Sequence, residues 1–539
     1  MLDGVGRAVK RRPAIFPHLG GTFTAPTPVE LTATAAAIRV PWRITWAALA
    51  VGGVPFAAFT ILVLHHFYVR GGFFYDSGLL AFLLSEQDPR LLTPPIVGGD
   101  SFFSIHVTPV FVGAALIRRL LPVTDPQFFA GFIGLCHALP GLGVFWLLHS
   151  ALGLRRPLEI AAAAVVAIAF SFNGQALAIA RYPHFEILIV GTFILFSVGL
   201  IRRQLVVASI CFAICLATRE DAGFHLFTVL FLLIVLNRYH GVSWRAQTPE
   251  IVFAAIALIY SFVVLALQLA FSTRQPPLIR VYLGDPPLGS VTLAIVTERL
   301  LGWLTYRTYI VLPALVAILW AVRARNPYIV VGYVAFLPWA LLHLTAQNDI
   351  AGTLSSYYAY PFMIASFWPL AGALLEPRLR GCRSSAVVSV LAFSAMIAGS
   401  FTALSRQANP GHLELPASFF SPPSLARQAI TDRAVEQLSR WKARLGTVLV
   451  DTSVLALAPD GYAENETISG ARTSHPNTVI YFANGYEAAT AQAIASAAGL
   501  DRHYQAPGTS IRVATDRSLD QSSPLAALFS PQEPSQFRP

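Results

Sequence analysis

Apolar residues recur along this chain in runs long enough to cross a lipid bilayer. The first is WAALAVGGVPFAAFTILVLHHFYV, and comparable runs follow almost to residue 404, separated by short polar links that carry arginine. A hydrocarbon core of about 30 Å needs roughly 17 to 25 apolar residues per helix, because each backbone amide must be satisfied within its own segment. The pattern predicts spanning helices near 44–67, 127–152, 157–180, 185–201, 204–218, 222–238, 250–271, 301–322, 327–345, 356–375 and 384–404, about 11 transmembrane helices. A further run, HVTPVFVGAALIRRLLP from His106 to Pro122, is shorter and carries Arg118 and Arg119 near its end. It is predicted to lie along the membrane surface or re-enter it, leaving 68–126 as one large loop.

After residue 405 the pattern changes. A helical stretch, AVEQLSRWKARLG, precedes the strand-like runs TVLVDTSVLALAP and TVIYFA, an Ala-rich helix EAATAQAIASAAG, and TSIRVAT. Strands alternating with helices predict a small α/β domain over 405–519, and the Ser-, Pro- and Gln-rich residues 520–539 are predicted disordered. The fold class expected is thus an all-α polytopic membrane protein with a small C-terminal α/β domain.

Composition agrees: 55% of the residues are hydrophobic and 12% charged, against roughly 25% charged in ordinary soluble domains. The net charge of +10 would raise nucleic acid as a partner in a soluble protein. Here the arginines sit between apolar runs, so the lipid bilayer is the expected partner and nucleic acid is not. With the 1–43 segment cytoplasmic, the Arg155–Arg156, Arg202–Arg203, Arg238–Arg245, Arg323–Arg325 and Arg378–Arg383 links all fall on the cytoplasmic side. A crossing by His106–Pro122 would turn every one of them outward. The same orientation puts the C-terminal domain on the extracytoplasmic face. Residues 1–43 lack the apolar core of a cleaved signal peptide, and Cys136, Cys211, Cys215 and Cys382 have no disulfide or metal-type arrangement beyond the CFAIC pair.

The outward links hold the candidate chemistry. Asp76, in RGGFFYDSG, is either a turn or cap residue for the helix that follows or a general base, since a carboxylate at an apolar boundary gains proton affinity. His106, in SFFSIHVTP, is either structural or placed to orient a substrate. In ARYPHFE, Pro183 suits a first helical turn, so Arg181 and His184 beside a helix N-terminus form a candidate phosphate cradle, with Glu186 as a cap partner or metal ligand. ATREDAG sets Arg219, Glu220 and Asp221 side by side, either as a local ion network or with Arg219 on a phosphate and the acids shaping a pocket. Tyr357 and Tyr358, in SSYYAYP, are interfacial aromatics or sugar contacts, and Gln347, Asn348 and Asp349 are further candidates for sugar hydrogen bonds. Glu186, Glu220 and Asp221 are the candidate ligands for a divalent metal, Mg or Mn. The chain contains no GxxxxGK[ST], HExxH or GxSxG motif, which argues against an ATP-driven pump, a zinc protease and a serine hydrolase.

The succession YDSG, HVTP, HFE and TREDAG resembles a family of predicted prokaryotic polytopic membrane proteins of unknown function, over residues 60 to 400, with Arg219 where that family usually has lysine. That family is similar in layout to the GT-C glycosyltransferases. The resemblance implies a bacterial inner-membrane enzyme that transfers sugar from a polyprenyl-phosphate donor to a glycan, lipid or protein acceptor on the extracytoplasmic face, with Asp76 matching the first-loop acid. A transporter or flippase of lipid-linked saccharides, or a non-catalytic membrane scaffold, are the alternatives.

Overall fold

The computed structural model describes residues 42–70, 75–85, 102–272, 275, 278–375, 383–406, 417–459, 461–462, 466–468, 475–485, 487–518 and 525–532. The N-terminal segment up to residue 41, the Arg378–Arg383 link apart from Arg383, and Cys382 lie outside them.

Among the described residues six helices are long and apolar enough to cross a membrane, or up to eight if each of two bent pairs is one span. The multi-pass helical character read from the apolar runs is present. The Trp42–His65 helix packs along the Asp125–Leu152 helix, which in turn lies against Ile187–Ile201. The last is apolar on all sides and only Leu195 and Ile201 escape full burial, as expected of a helix wrapped by its neighbours.

Two predicted spans are broken. The 157–180 run divides into Pro157–Ser171 and Gly174–Ala180, bent by 44°, because the Asn173 side chain accepts the Ala176 amide and starts a new helix. The 301–322 run contains a turn of 85° between Leu293–Tyr306 and Thr308–Ala324. Arg307 at that corner is buried, and its guanidinium donates to the Thr353 carbonyl at 2.9 Å and to Ser355 Oγ at 2.8 Å. The His106–Pro122 run forms the 12-residue Pro109–Leu120 helix, whose last turn carries Arg118 and Arg119, so it lacks the apolar composition of the equally short Leu205–Leu216 helix.

The C-terminal domain is a five-stranded mixed sheet in the order β1-β2-β4-β3-β5: Val448–Val450, Thr478–Phe482, Ile511–Thr515, Arg502–Gln505 and Ser530–Gln532. β1 and β2 are parallel, with Val448 opposite Thr478, and the other pairings are antiparallel. Two predictions are corrected here. TVLVDTSVLALAP is not one strand: it stops at Val450, Asp451 caps the Ser453 amide, and Thr452–Leu457 is a helix. Residues 525–532, predicted within a disordered tail, bury Leu525 and Phe529 and supply β5.

This domain sits on the helix that carries Asp76, Tyr75–Ser85. Ala456 joins the core formed by Val63, Leu79, Leu80 and Leu83. Arg427 donates to the Tyr68 carbonyl at 2.7 Å, and Ser510 donates to the Val69 carbonyl at 2.6 Å. A Cβ at Gly78 would lie 2.4 Å from the Thr452 carbonyl oxygen, so only glycine permits this approach.

Candidate functional site

Links far apart in sequence meet where the first helix ends. Asp76 lies in the first turn of the Tyr75–Ser85 helix and accepts a hydrogen bond from the Tyr182 hydroxyl. Tyr182 belongs to the turn after Gly174–Ala180, whose helix restart at Asn173 brings RYPHFE against Asp76. The His106 segment is pinned to the next turn: Val110 N–H donates to the Ala217 carbonyl at 2.9 Å, the Val107 amide donates to Glu220 Oε2 at 3.0 Å, and His106 Nδ1 lies 3.0 Å from Glu220 Oε1. Ser261 holds this turn from the other side by donating to the Glu220 carbonyl at 2.8 Å. Gly223 lets the turn's helix approach, since a Cβ there would lie 2.2 Å from the Ala257 carbonyl.

Arg219 is the cation at the centre. Its Nη1 donates to Glu186 Oε1 at 2.9 Å, and its Nε lies 3.1 Å from Asp221 Oδ1 and 3.6 Å from Glu220 Oε1. Glu186 is fully buried and its second oxygen meets His184 Nδ1. Removing these charges from water is costly, and the mutual contacts offset that cost.

The electrostatics follow from burial and pairing. Burial raises the proton affinity of Asp76 above the ordinary carboxylate range, while the Tyr182 hydroxyl and then His106 oppose it. Asp221 is pushed up to about 6, burial and the neighbouring Glu220 outweighing Arg219. Glu220 goes the other way: burial would raise it, but His106 and Arg219 hold it below the usual value. Burial lowers the proton affinity of His184, with His106 and Arg219 adding to the effect, so a neutral imidazole lies against the Glu186 carboxylate.

A ladder of rings adjoins the charges. His184 stacks on Tyr357 with centroids 4.2 Å apart and planes at 14°, and Tyr357 stacks on Tyr358 at 4.4 Å. His343 and Tyr282 stand edge-on to Tyr358, and His225 Nε2 lies 2.8 Å from the Tyr360 hydroxyl. Tyr357 and Tyr358 are half-buried in this stack and Tyr282 and Tyr360 are buried, so they are not spread as a belt.

The structure therefore brings together Asp76, His106, His184, Glu186, Arg219, Glu220, Asp221, Tyr357 and Tyr358. It places Arg181 at the end of Gly174–Ala180, within electrostatic reach of Tyr309. The predicted helix N-terminus at Pro183 is corrected: the next helix starts at Ile187, and Pro183 is in the connecting turn. Asn348 caps the Ala351 amide and Asp349 pairs with Arg299. Tyr182 was legible only as a neighbour of Arg181 in RYPHFE; nothing in the sequence joins it to Asp76. The carboxylates proposed as Mg or Mn ligands are taken up by Arg219, His184, His106 and the Val107 amide. Among the described residues no three His, Cys, Asp or Glu side chains are arranged to hold a metal, so the donor set does not fit one. No protein-family model matches the chain, and a search of curated proteins finds no match.

Proposed function

We propose that the chain is a GT-C-type inverting glycosyltransferase that uses a polyprenyl-phosphate sugar on the extracytoplasmic face of a bacterial inner membrane. The observation that carries this reading is the placement of Asp76, a carboxyl of raised proton affinity, beside a ring ladder suited to a sugar face and an arginine-centred cluster. Counting each bent pair as one crossing and adding Ile187–Ile201, Leu205–Leu216 and Tyr360–Leu375 gives eleven crossings. With the arginine-rich links inside, that count puts Asp76 outside.

In the proposed step Asp76 takes the proton of an acceptor hydroxyl as its oxygen attacks the anomeric carbon. The bond from that carbon to the phosphate oxygen breaks with inversion, and polyprenyl phosphate leaves with the electron pair. Arg181, His184 and Arg219 are the residues proposed to face the phosphate. Arg219 already lies within ion-pair distance of three carboxylates, so the phosphate would replace Asp221, the acid whose raised proton affinity makes it easiest to neutralise. Tyr357 and Tyr358 offer their faces to the sugar.

The test is transfer by purified protein from a panel of labelled polyprenyl-phosphate sugars. Transfer that Asp76→Asn lowers by roughly 10² or more supports the reading. Undiminished transfer by that variant removes Asp76 as the base, and translocation of lipid-linked sugar in vesicles without transfer would make the chain a flippase.

A further inference from the structure

A second site lies at the opposite end of the first helix from Asp76. A cavity of about 540 Å³ opens among Trp42, Arg43, Ile44, His149, Gly153, Leu154, Arg155 and Ile160. Three segments supply its walls: the first turn of Trp42–His65, the last turn of Asp125–Leu152 with the link after it, and the start of Pro157–Ser171. Arg43 and Arg155 are exposed and His149 is half-buried, while no carboxylate lines the space. Glu159, the acid nearest in sequence, is turned back to accept the Arg156 amide at 3.3 Å. The Arg43 guanidinium rests over the Trp42 ring at 5.5 Å, and Trp42 and Trp46 are each more than 60% exposed.

The combination is specific. The indoles belong to the membrane–water boundary, where their amphipathic rings are at home. The apolar part of the lining, Ile44, Leu154 and Ile160, faces the same space as the two guanidiniums. An occupant must therefore be anionic at one end and apolar at the other, and it must reach the cavity from the bilayer interface. We propose that this cavity binds the headgroup of an anionic phospholipid, with the phosphate between Arg43 and Arg155 and the glycerol and upper acyl carbons against Ile44, Leu154 and Ile160. Planar guanidiniums suit phosphate oxygens in bidentate geometry, and anionic lipids attract basic residues at the membrane surface. Residues 1–41 are a poor occupant on charge, since they bring Arg7, Lys10, Arg11, Arg12 and Arg39 against Asp3 and Glu30. The proposal rests on the membrane location of the helices and is independent of any transferase activity.

The full chain would be purified into nanodiscs of phosphatidylcholine with and without phosphatidylglycerol, and the lipids retained on release would be weighed by native mass spectrometry. The expected result is preferential retention of phosphatidylglycerol, lowered roughly tenfold by Arg43→Gln with Arg155→Gln and restored by the corresponding lysine pair, which keeps the charge. A photoreactive phosphatidylglycerol should crosslink within residues 42–44 or 149–160. Three results would overturn the proposal: no preference in the unmodified protein, an equal loss with Arg323→Gln and Arg325→Gln on another link, or crosslinking of residues 1–41 into the cavity in place of lipid. Size-exclusion elution confirms that each variant is folded before its lipids are compared.

Discussion

Replacing Gly78 by alanine tests whether the C-terminal domain holds the Asp76 helix as described. Gly78 lies two residues after Asp76, inside the Tyr75–Ser85 helix. Local propensity alone favours alanine there by roughly 1 kcal/mol. Tertiary contact opposes it: the new methyl would lie 2.4 Å from the Thr452 carbonyl oxygen, 2.6 Å from its carbonyl carbon and 2.9 Å from the Ser453 nitrogen. All three are backbone atoms, and Thr452 is held in turn because Glu487 accepts its amide at 2.8 Å and its hydroxyl at 2.9 Å. No side chain can swing away, so the two helices must separate by about 1 Å to restore ordinary contact, a gap that forfeits a quarter to a half of each dispersion well it opens. Overpacking of this kind costs about 1–3 kcal/mol, and a three-atom backbone clash belongs at the upper end. Subtracting the propensity gain leaves a net loss of about 2 kcal/mol. The assay is denaturant unfolding in detergent, alongside Gly113→Ala at an exposed position of the Pro109–Leu120 helix, where no atom outside that helix's own backbone lies within 4 Å of the added methyl. Gly113→Ala should be neutral or stabilising by up to about 1 kcal/mol. Equal stability for Gly78→Ala and Gly113→Ala would refute the docking.

Other consequences can be measured on the same protein. Arg219→Ala leaves Glu186 and Asp221 buried without their cation, and about 3–5 kcal/mol of stability should be lost in thermal unfolding, whereas Glu186→Gln with Arg219→Met should recover part of it. Tyr182→Phe removes the hydroxyl that opposes burial at Asp76, so any activity using that carboxylate should rise with pH through a higher apparent pKa than in the unmodified protein, read from a pH–rate profile. Asp221 binds its proton more tightly folded than unfolded, with a folded value of about 6 against the ordinary 3.8. Its contribution is therefore fully favourable below about 4 and is lost as pH rises toward about 6, and Asp221→Asn should flatten that part of a stability-against-pH curve measured by thermal unfolding.

Particular residues mark how far the sequence can be read. The six long spans are visible because hydrophobicity is carried by each segment itself and must match a slab of known thickness. Breaks within apolar runs are less legible: Asn173 is a recognisable cap, but the 85° corner at Arg307 depends on Thr353 and Ser355, some 46 residues onward, accepting its guanidinium. Asp451 as a helix cap inside TVLVDTSVLAL was available as a local signal, and the β-branched residues around it masked it.

The candidate site divides in the same way. By itself the sequence determined that the chain is a multi-pass helical protein and that Asp76, His106, His184 and Arg219 lie in the links between apolar runs, because apolar length and the cost of a charge in hydrocarbon are properties of a segment. Only the tertiary structure decided that Asp76 meets Tyr182 across 106 residues and His106 meets Glu220 across 114, and that Arg219 is shared between Glu186 and Asp221. Those pairings depend on distances set by close helix packing at positions such as Gly78 and Gly223, and hydrogen bonds and ion pairs decay over a few ångströms that no one-dimensional pattern encodes.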